Sequence, residues 1–209
     1  MPVDIAFISA FLNRPYLEGP RQTVGYIPCR KQGGGTANYT GAGDPARYTA
    51  MGASGITIAT GVDLGQTDAA ALADYGLPDG LINQLRPYLG LKRGAALAKL
   101  HALPLTVSPE TALTLDHAVH GGYLREVVRR WNADSPRIRF ADLPKQAQAV
   151  VFSLCFQLGC SGARHRAGAV FRALLAGDFA TAACLLRERA HWAYPNRREV
   201  EGLLLTGVA

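Results

Sequence analysis

Three residues have types and spacings able to perform acid–base chemistry. Glu18 follows an apolar run, and Thr57 and Asp63 share a glycine-punctuated ribbon, Ser54-Gly55-Ile56-Thr57-Ile58-Ala59-Thr60-Gly61-Val62-Asp63-Leu64-Gly65. Desolvation at the edge of an apolar helix raises a carboxylic acid's pKa and lets it donate a proton, while a second carboxylate in a wetter loop stays ionised and acts as a base. Glycoside hydrolysis needs that division of labour, and carboxyls ~6.5–9.5 Å apart leave room for a water and invert the product anomer. A plainer reading makes Glu18 a surface acid closing a helix and Asp63 a turn residue. On spacing alone the plainer reading is the stronger.

The ribbon alternates strictly. Ile56, Ile58, Val62 and Leu64 share one face, and Thr57, Ala59, Gly61 and Asp63 share the other, expected to be more open. A straight strand holds Thr57 and Asp63 about 20 Å apart at ~3.3 Å per residue. They can serve one site only if the chain bends between them, and Gly61 is the residue able to permit it.

The elements around these residues follow from periodicity and breakers. Ile5, Ile8, Phe11 and Leu12 predict a helix over Ile5 to Leu17, stopped by Gly19-Pro20, so that Glu18 ends it. From Gly25 to Gly65, glycine, threonine and tyrosine dominate, the signature of a small β-and-loop segment. Short helices are expected over Asp68 to Tyr75, Gly80 to Leu85 and Lys92 to Leu100. A longer one starts at Ser108-Pro109-Glu110, where a capping serine, a first-turn proline and an early acid agree. Its inward stripe reads as Leu113, Leu124, Val127 and Trp131, with His117 and His120 facing inward as structural histidines and Gly121-Gly122 marking a bend or close packing. Gln146 to Leu158 is apolar nearly all round and reads as a buried central helix closed by Gly159. Gln157 then needs a partner or a cleft, since an unpaired buried amide costs roughly 1–3 kcal/mol. Further helices are expected over Arg166 to Ala176, Asp178 to Arg189 and Asn196 to Leu205. The fold class is α+β and predominantly helical, a single domain over 1–209 with a small β lobe at about 20–66 and a larger helical lobe at about 67–209, joined by the first helix.

Composition bounds the function classes. With 48% hydrophobic and 18% charged residues, the 209-residue chain is neither a disordered tail nor a fibre. No run approaches the ~20 apolar residues that span a bilayer, so a soluble protein is expected. The first ten residues hold Asp4 and no basic residue, which argues against a secretory signal and for synthesis in a cytoplasm. Cys29, Cys155, Cys160 and Cys184 are too few for a disulfide scaffold and lack zinc spacing; they read as buried thiols, with Cys160 and Cys184 open to oxidation in a periplasm. A net charge of +6 favours an anionic partner. No zinc-finger or RNA-binding signature accompanies the arginines, so nucleic acid is not the expected partner.

Leu17-Glu18-Gly19 and the block Gly55 to Gln66, with Phe156-Gln157-Leu158-Gly159, Trp192, Pro195-Asn196-Arg197 and Thr206-Gly207 following in order, resemble the muramidase domain of pesticin and its relatives among phage-type lysozymes. The resemblance implies a lysozyme-like fold and cleavage of the β-1,4 bond between N-acetylmuramic acid and N-acetylglucosamine in peptidoglycan, by an inverting mechanism without a cofactor or metal. Glu18 would protonate the departing oxygen, Asp63 would activate or electrostatically guide the water, and Thr57 would orient it. Gln157 would line the substrate groove, and Arg197 falls where the family places an arginine beside the acid. The connection from Glu18 to Thr57 is longer than the family's, which leaves Asp44 as the alternative second carboxylate. Arg197 and Arg198 also lie in a helix's first turn, where the dipole disfavours cations unless a carboxylate compensates; Glu18 and Glu199 are the candidates for Arg197.

Two other readings compete with bacteriolysis by a glycosidase. One is a wall-binding or toxin-associated module without turnover; the other is membrane disruption by the basic helices between Arg164 and Arg189, without stable insertion. A phage endolysin and an effector injected into rival bacteria both fit a chain acting on the wall from the periplasm after release or delivery. An immunity protein is an expected partner only for the effector.

Overall fold

A computed structural model describes residues 3–135 and 137–208. Helix α1 (Ile5–Leu12) starts where the Asp4 carboxylate accepts from the Phe7 amide, and it buries Ile8, Phe11 and Leu12. It stops short of the expected Leu17. Asn13 turns its side chain back onto the Ser9 carbonyl, and Pro15 brings no N–H and disfavours helical backbone at Arg14. Tyr16 then takes a left-handed φ of 68°, and the Glu18 amide donates to the Leu12 carbonyl at 3.0 Å. Glu18 therefore stands on a post-helical turn rather than at a helix end.

The chain packs as two compact units. One combines the segment ending at Gly19 with the segment beginning at Tyr123; the other is Pro20–Gly122. In the second unit, β1 (Gln22–Lys31) organises an antiparallel sheet. Strand β2 (Thr36–Tyr39) pairs along one edge, while β3 (Tyr48–Ala50) and β4 (Thr57–Ala59) take successive stretches of the other; β5 (Val62–Asp63) closes against β4. The ribbon expected from the sequence is thus a hairpin with Thr57 and Asp63 as directly opposed partners. Ala59 at φ 54° and Gly61 at φ 71° make the turn, so the bend assigned to Gly61 begins two residues earlier.

The strands share their core with α2 (Ala69–Asp74), α3 (Asp79–Leu85), α4 (Arg93–Ala102) and the start of α5 (Pro109–Asp134). Ile56, Ile58, Val62 and Leu64 are all buried there, as their alternation requires, together with Leu72, Ile82 and Leu97. The opposite face is not open as expected: Thr57 and Ala59 are buried too, and only Gly61 and Asp63 stay partly exposed. Ser108 caps α5 by accepting from the Thr111 amide. The expected inward stripe holds at His120, Leu124, Val127 and Trp131, which are buried, but not at Leu113 and His117, which face outward while Ala112, Leu115 and Asp116 turn inward. The buried polar pair serves Thr60: Asp116 accepts from its amide and hydroxyl at 2.8 and 2.7 Å, and the His120 ring contacts its carbonyl. Arg21 neutralises Asp116 at 2.6 Å. Gly122 is needed for close packing, since a Cβ there would lie 2.0 Å from the Tyr75 ring.

The other unit is helical. Its centre is α6 (Lys145–Leu158), buried at every position from Ala147 to Cys155 and terminated by Gly159 at φ 72°. Around it lie α1, the rest of α5, α7 (Cys160–Arg166), α8 (Gly168–Leu175), α9 (Phe179–Arg187) and α10 (Pro195–Thr206). Helix α7 was not expected; it follows α6 after one glycine, a break too short to read from composition. Val170, Phe171, Leu174, Ala182 and Leu186 place the apolar faces of α8 and α9 in this core rather than on a membrane-facing surface. Among the described residues no helix is long and apolar enough to cross a membrane. All four thiols are free; Cys184 is exposed and the other three are buried.

Candidate active-site residues

In the helical unit, α10 delivers two arginines into the interior beside α6. Pro195 opens the helix, and Arg197 and Arg198, 5% and 2% exposed, point inward from its first turn. Cations there oppose the helix dipole and lose hydration, so they require carboxylates. Glu201, fully buried one turn later, supplies one: Arg197 Nε donates to its Oε1 at 3.3 Å and Arg198 Nη1 donates to its Oε2. Glu18 supplies the other, accepting from Arg197 Nη1 at 2.7 Å.

Ser153 on α6 completes the cluster. Its hydroxyl donates to Glu201 at 2.6 Å and accepts from Arg197 Nη2 at 2.9 Å. Arg197 is thereby held at each end of its planar fork, and the Glu18 carboxylate is held by a group that cannot swing away. Arg198 donates to the Gln157 carbonyl oxygen and stacks its guanidinium 5.5 Å from the Trp192 ring centre. Burial pushes Arg198 below the ordinary arginine value, and Glu201 opposes that shift. Two arginines and two glutamates carry no net formal charge and each is paired, the condition for keeping such groups largely out of water.

Of the residues singled out in the sequence, Glu18, Arg197 and Gln157 are thus linked within one unit. Glu18 rather than Glu199 is the partner of Arg197; Glu199 pairs with Arg187 at 3.1 Å. Gln157 is satisfied by Arg198, which answers the question its position raised. Glu201, Arg198 and Ser153 were missed as participants. The Arg-x3-Glu and Arg-x2-Glu spacings on one helix face are the signal that points to Glu201.

Thr57 and Asp63 stand together in the sheet unit. Asp63 caps the turn after β5: Oδ1 accepts from the Gly65 amide at 2.8 Å and the Gly55 amide at 3.1 Å, and Oδ2 receives the Gln66 side chain. Burial raises its carboxyl above the usual aspartate value, against the opposing pull of those donors and of Lys92. A Cβ on Gly55 would lie 2.5 Å from both Gly65 Cα and the Leu91 carbonyl oxygen, so both glycines are required for backbone approach around this carboxylate. Asp44 is exposed and accepts from the Ala46 amide as a helical cap. Among the described residues no group of three His, Cys, Asp or Glu side chains is placed to hold a metal.

A family model described as pesticin, a bacterial toxin homologue of phage lysozyme, C-terminal part, matches residues 3–180. The chain belongs to the pesticin family. Membership accounts for the α+β, mostly helical, lysozyme-like fold, and it implies a glycoside hydrolase acting on peptidoglycan. Glu18, Thr57, Asp63 and Gln157 fall inside the match to the pesticin model, whereas α10 with Arg197, Arg198 and Glu201 lies beyond it. No curated protein matches the chain.

Proposed function

We propose that this pesticin-family protein is an N-acetylmuramidase that cleaves the β-1,4 bond between N-acetylmuramic acid and N-acetylglucosamine and so lyses bacteria. The observation that supports this most is the fixed carboxylate of Glu18, 17% exposed and bonded to a buried guanidinium, in a chain whose family implies wall hydrolysis. Glu18 acts as the general acid toward the departing glycosidic oxygen, with Arg197 setting its orientation. Asp63 already accepts from two backbone amides and one side-chain amide. Its part is therefore electrostatic guidance of the attacking water, while the Thr57 hydroxyl orients that water. Gln157 keeps its amide N–H groups for substrate. The outcome is inversion at the anomeric carbon, without a cofactor.

The protein acts on peptidoglycan in the periplasm or wall after release or delivery. In an effector setting a cognate immunity protein accompanies it.

Reducing-end release from purified sacculi tests the reading. Glu18→Gln is expected to lower it by about 10²–10⁴-fold while sacculus binding persists. Undiminished release by that variant removes the proposed acid. Binding by the unaltered protein without any sugar release favours a non-catalytic wall-binding module instead. Lysis that survives Glu18→Gln favours membrane disruption. Asp63→Ala with near-normal release, alongside an inactive Asp44→Ala, transfers the second role to Asp44. The anomer produced, followed by proton NMR, decides between inversion and retention.

A further inference from the structure

Cys155 ends the buried stretch of α6 and Cys160 begins α7, with Gly159 reversing the chain between them. Both thiols line one small cavity, about the size of a single water molecule, together with Val127, Trp131, Arg130 and Arg164. Cys160 Sγ lies 3.9 Å from the Tyr123 hydroxyl, which itself donates to the Cys155 carbonyl at 2.7 Å. Each thiol is the other's principal electrostatic neighbour. The arginines form the polar rim of the cavity: their side chains are 44% and 30% exposed and pair with Glu126 and Asp134. None of these groups has a part in the proposed hydrolysis.

We infer that Cys155 and Cys160 form a peroxide-sensitive dithiol that closes to a disulfide across the α6–α7 turn. The two thiols are chemically unequal. Its interaction with Cys155 holds Cys160 below the usual thiol range, whereas the same interaction and burial push Cys155 above it. Cys160 is the attacking sulfur, because the thiolate is the nucleophile and cationic surroundings favour it.

The oxidant class is a hydroperoxide, with hydrogen peroxide its smallest member. The Cys160 thiolate attacks a peroxide oxygen, the O–O bond breaks, and the departing hydroxide takes a proton to become water, leaving a sulfenic acid. Cys155 sulfur then attacks Cys160 sulfur, forms the S–S bond and expels the hydroxyl group, which leaves as water with the Cys155 proton. Two thiols and one hydrogen peroxide give one disulfide and two waters. The bond would clamp the turn that follows Gln157. Cys184, read from the sequence as open to oxidation alongside Cys160, is exposed and does not line this cavity.

The full-length protein, freed of reductant and treated with hydrogen peroxide, is quenched by alkylation under denaturing conditions and mapped by peptide mass. The expected product is a Cys155–Cys160 cross-linked peptide lacking two hydrogens, reversed by dithiothreitol. Cys155→Ala should instead leave Cys160 as a sulfenic acid captured by dimedone. The inference is overturned if Cys155 and Cys160 of the unaltered protein are recovered fully alkylated while Cys184 is oxidised. It is equally overturned if Cys160 pairs with Cys184. The mapping of the unaltered protein decides even where the variant fails to fold.

Discussion

Glu201 in the helical unit and Asp63 in the sheet unit are two inward-facing carboxylates held by opposite means. Glu201 is fully buried and faces two guanidinium groups, so its charge is cancelled by whole charges on long side chains. Asp63 faces the amides of Gly55 and Gly65, and its charge is met by fixed backbone dipoles with Lys92 only an electrostatic neighbour. The first arrangement depends on partners that mutation can delete. The second depends on a backbone path that only glycine permits. A charged network and a glycine turn thus fail in different ways, although each immobilises one acid.

The largest stability effect is expected where cancellation is removed. Glu201→Ala leaves Arg197 and Arg198 with one carboxylate between them and should destabilise the protein by about 3–5 kcal/mol in urea unfolding. A change within error would mean that the arginines find water, and the contrast between the two carboxylates would lose its basis. Gly55→Ala probes the other arrangement. Its added methyl meets backbone on two sides, and a loss of about 1–3 kcal/mol is expected without any change in charge. Full stability here would show that the turn can relax.

The pH dependence of Asp63 sharpens the comparison with the smallest effect. Its folded pKa is raised by burial, so it contributes stability that is fully present below the unfolded aspartate value, about 3.9, and is lost as pH rises through the higher folded value. The penalty of Asp63→Asn, read as the difference in urea midpoint from the unaltered protein, should therefore be larger in acid than at neutral pH. The reverse order would mean that the amide donors outweigh burial.

Much of this was legible in the residues themselves. The period-two alternation located the Ile56, Ile58, Val62 and Leu64 face, and the demand for a bend was met by a hairpin that opposes Thr57 to Asp63. The dipole argument required a carboxylate for Arg197, and Glu18 fills that place. What escaped was long-range or polar. The inward face at the start of α5 could not be read from hydrophobicity because Asp116 occupies it in order to bond Thr60, a residue 56 positions away. The early end of α1 turns on Pro15 and a left-handed Tyr16, which apolar periodicity does not sense. Glu201 escaped attention because an acid on a polar-looking helix reads as solvated until its two arginines are seen to point inward.

The zero sum of Glu18, Glu201, Arg197 and Arg198 has an outcome for how the protein responds to ionic strength. The surplus of six positive charges lies entirely among the other residues. Added salt should weaken attraction to a polyanionic sacculus, because exposed charges are screened over about 10 Å at 0.1 M, while the internal quartet is shielded from those ions. Surface adhesion and the alignment of Glu18 can therefore be tuned independently.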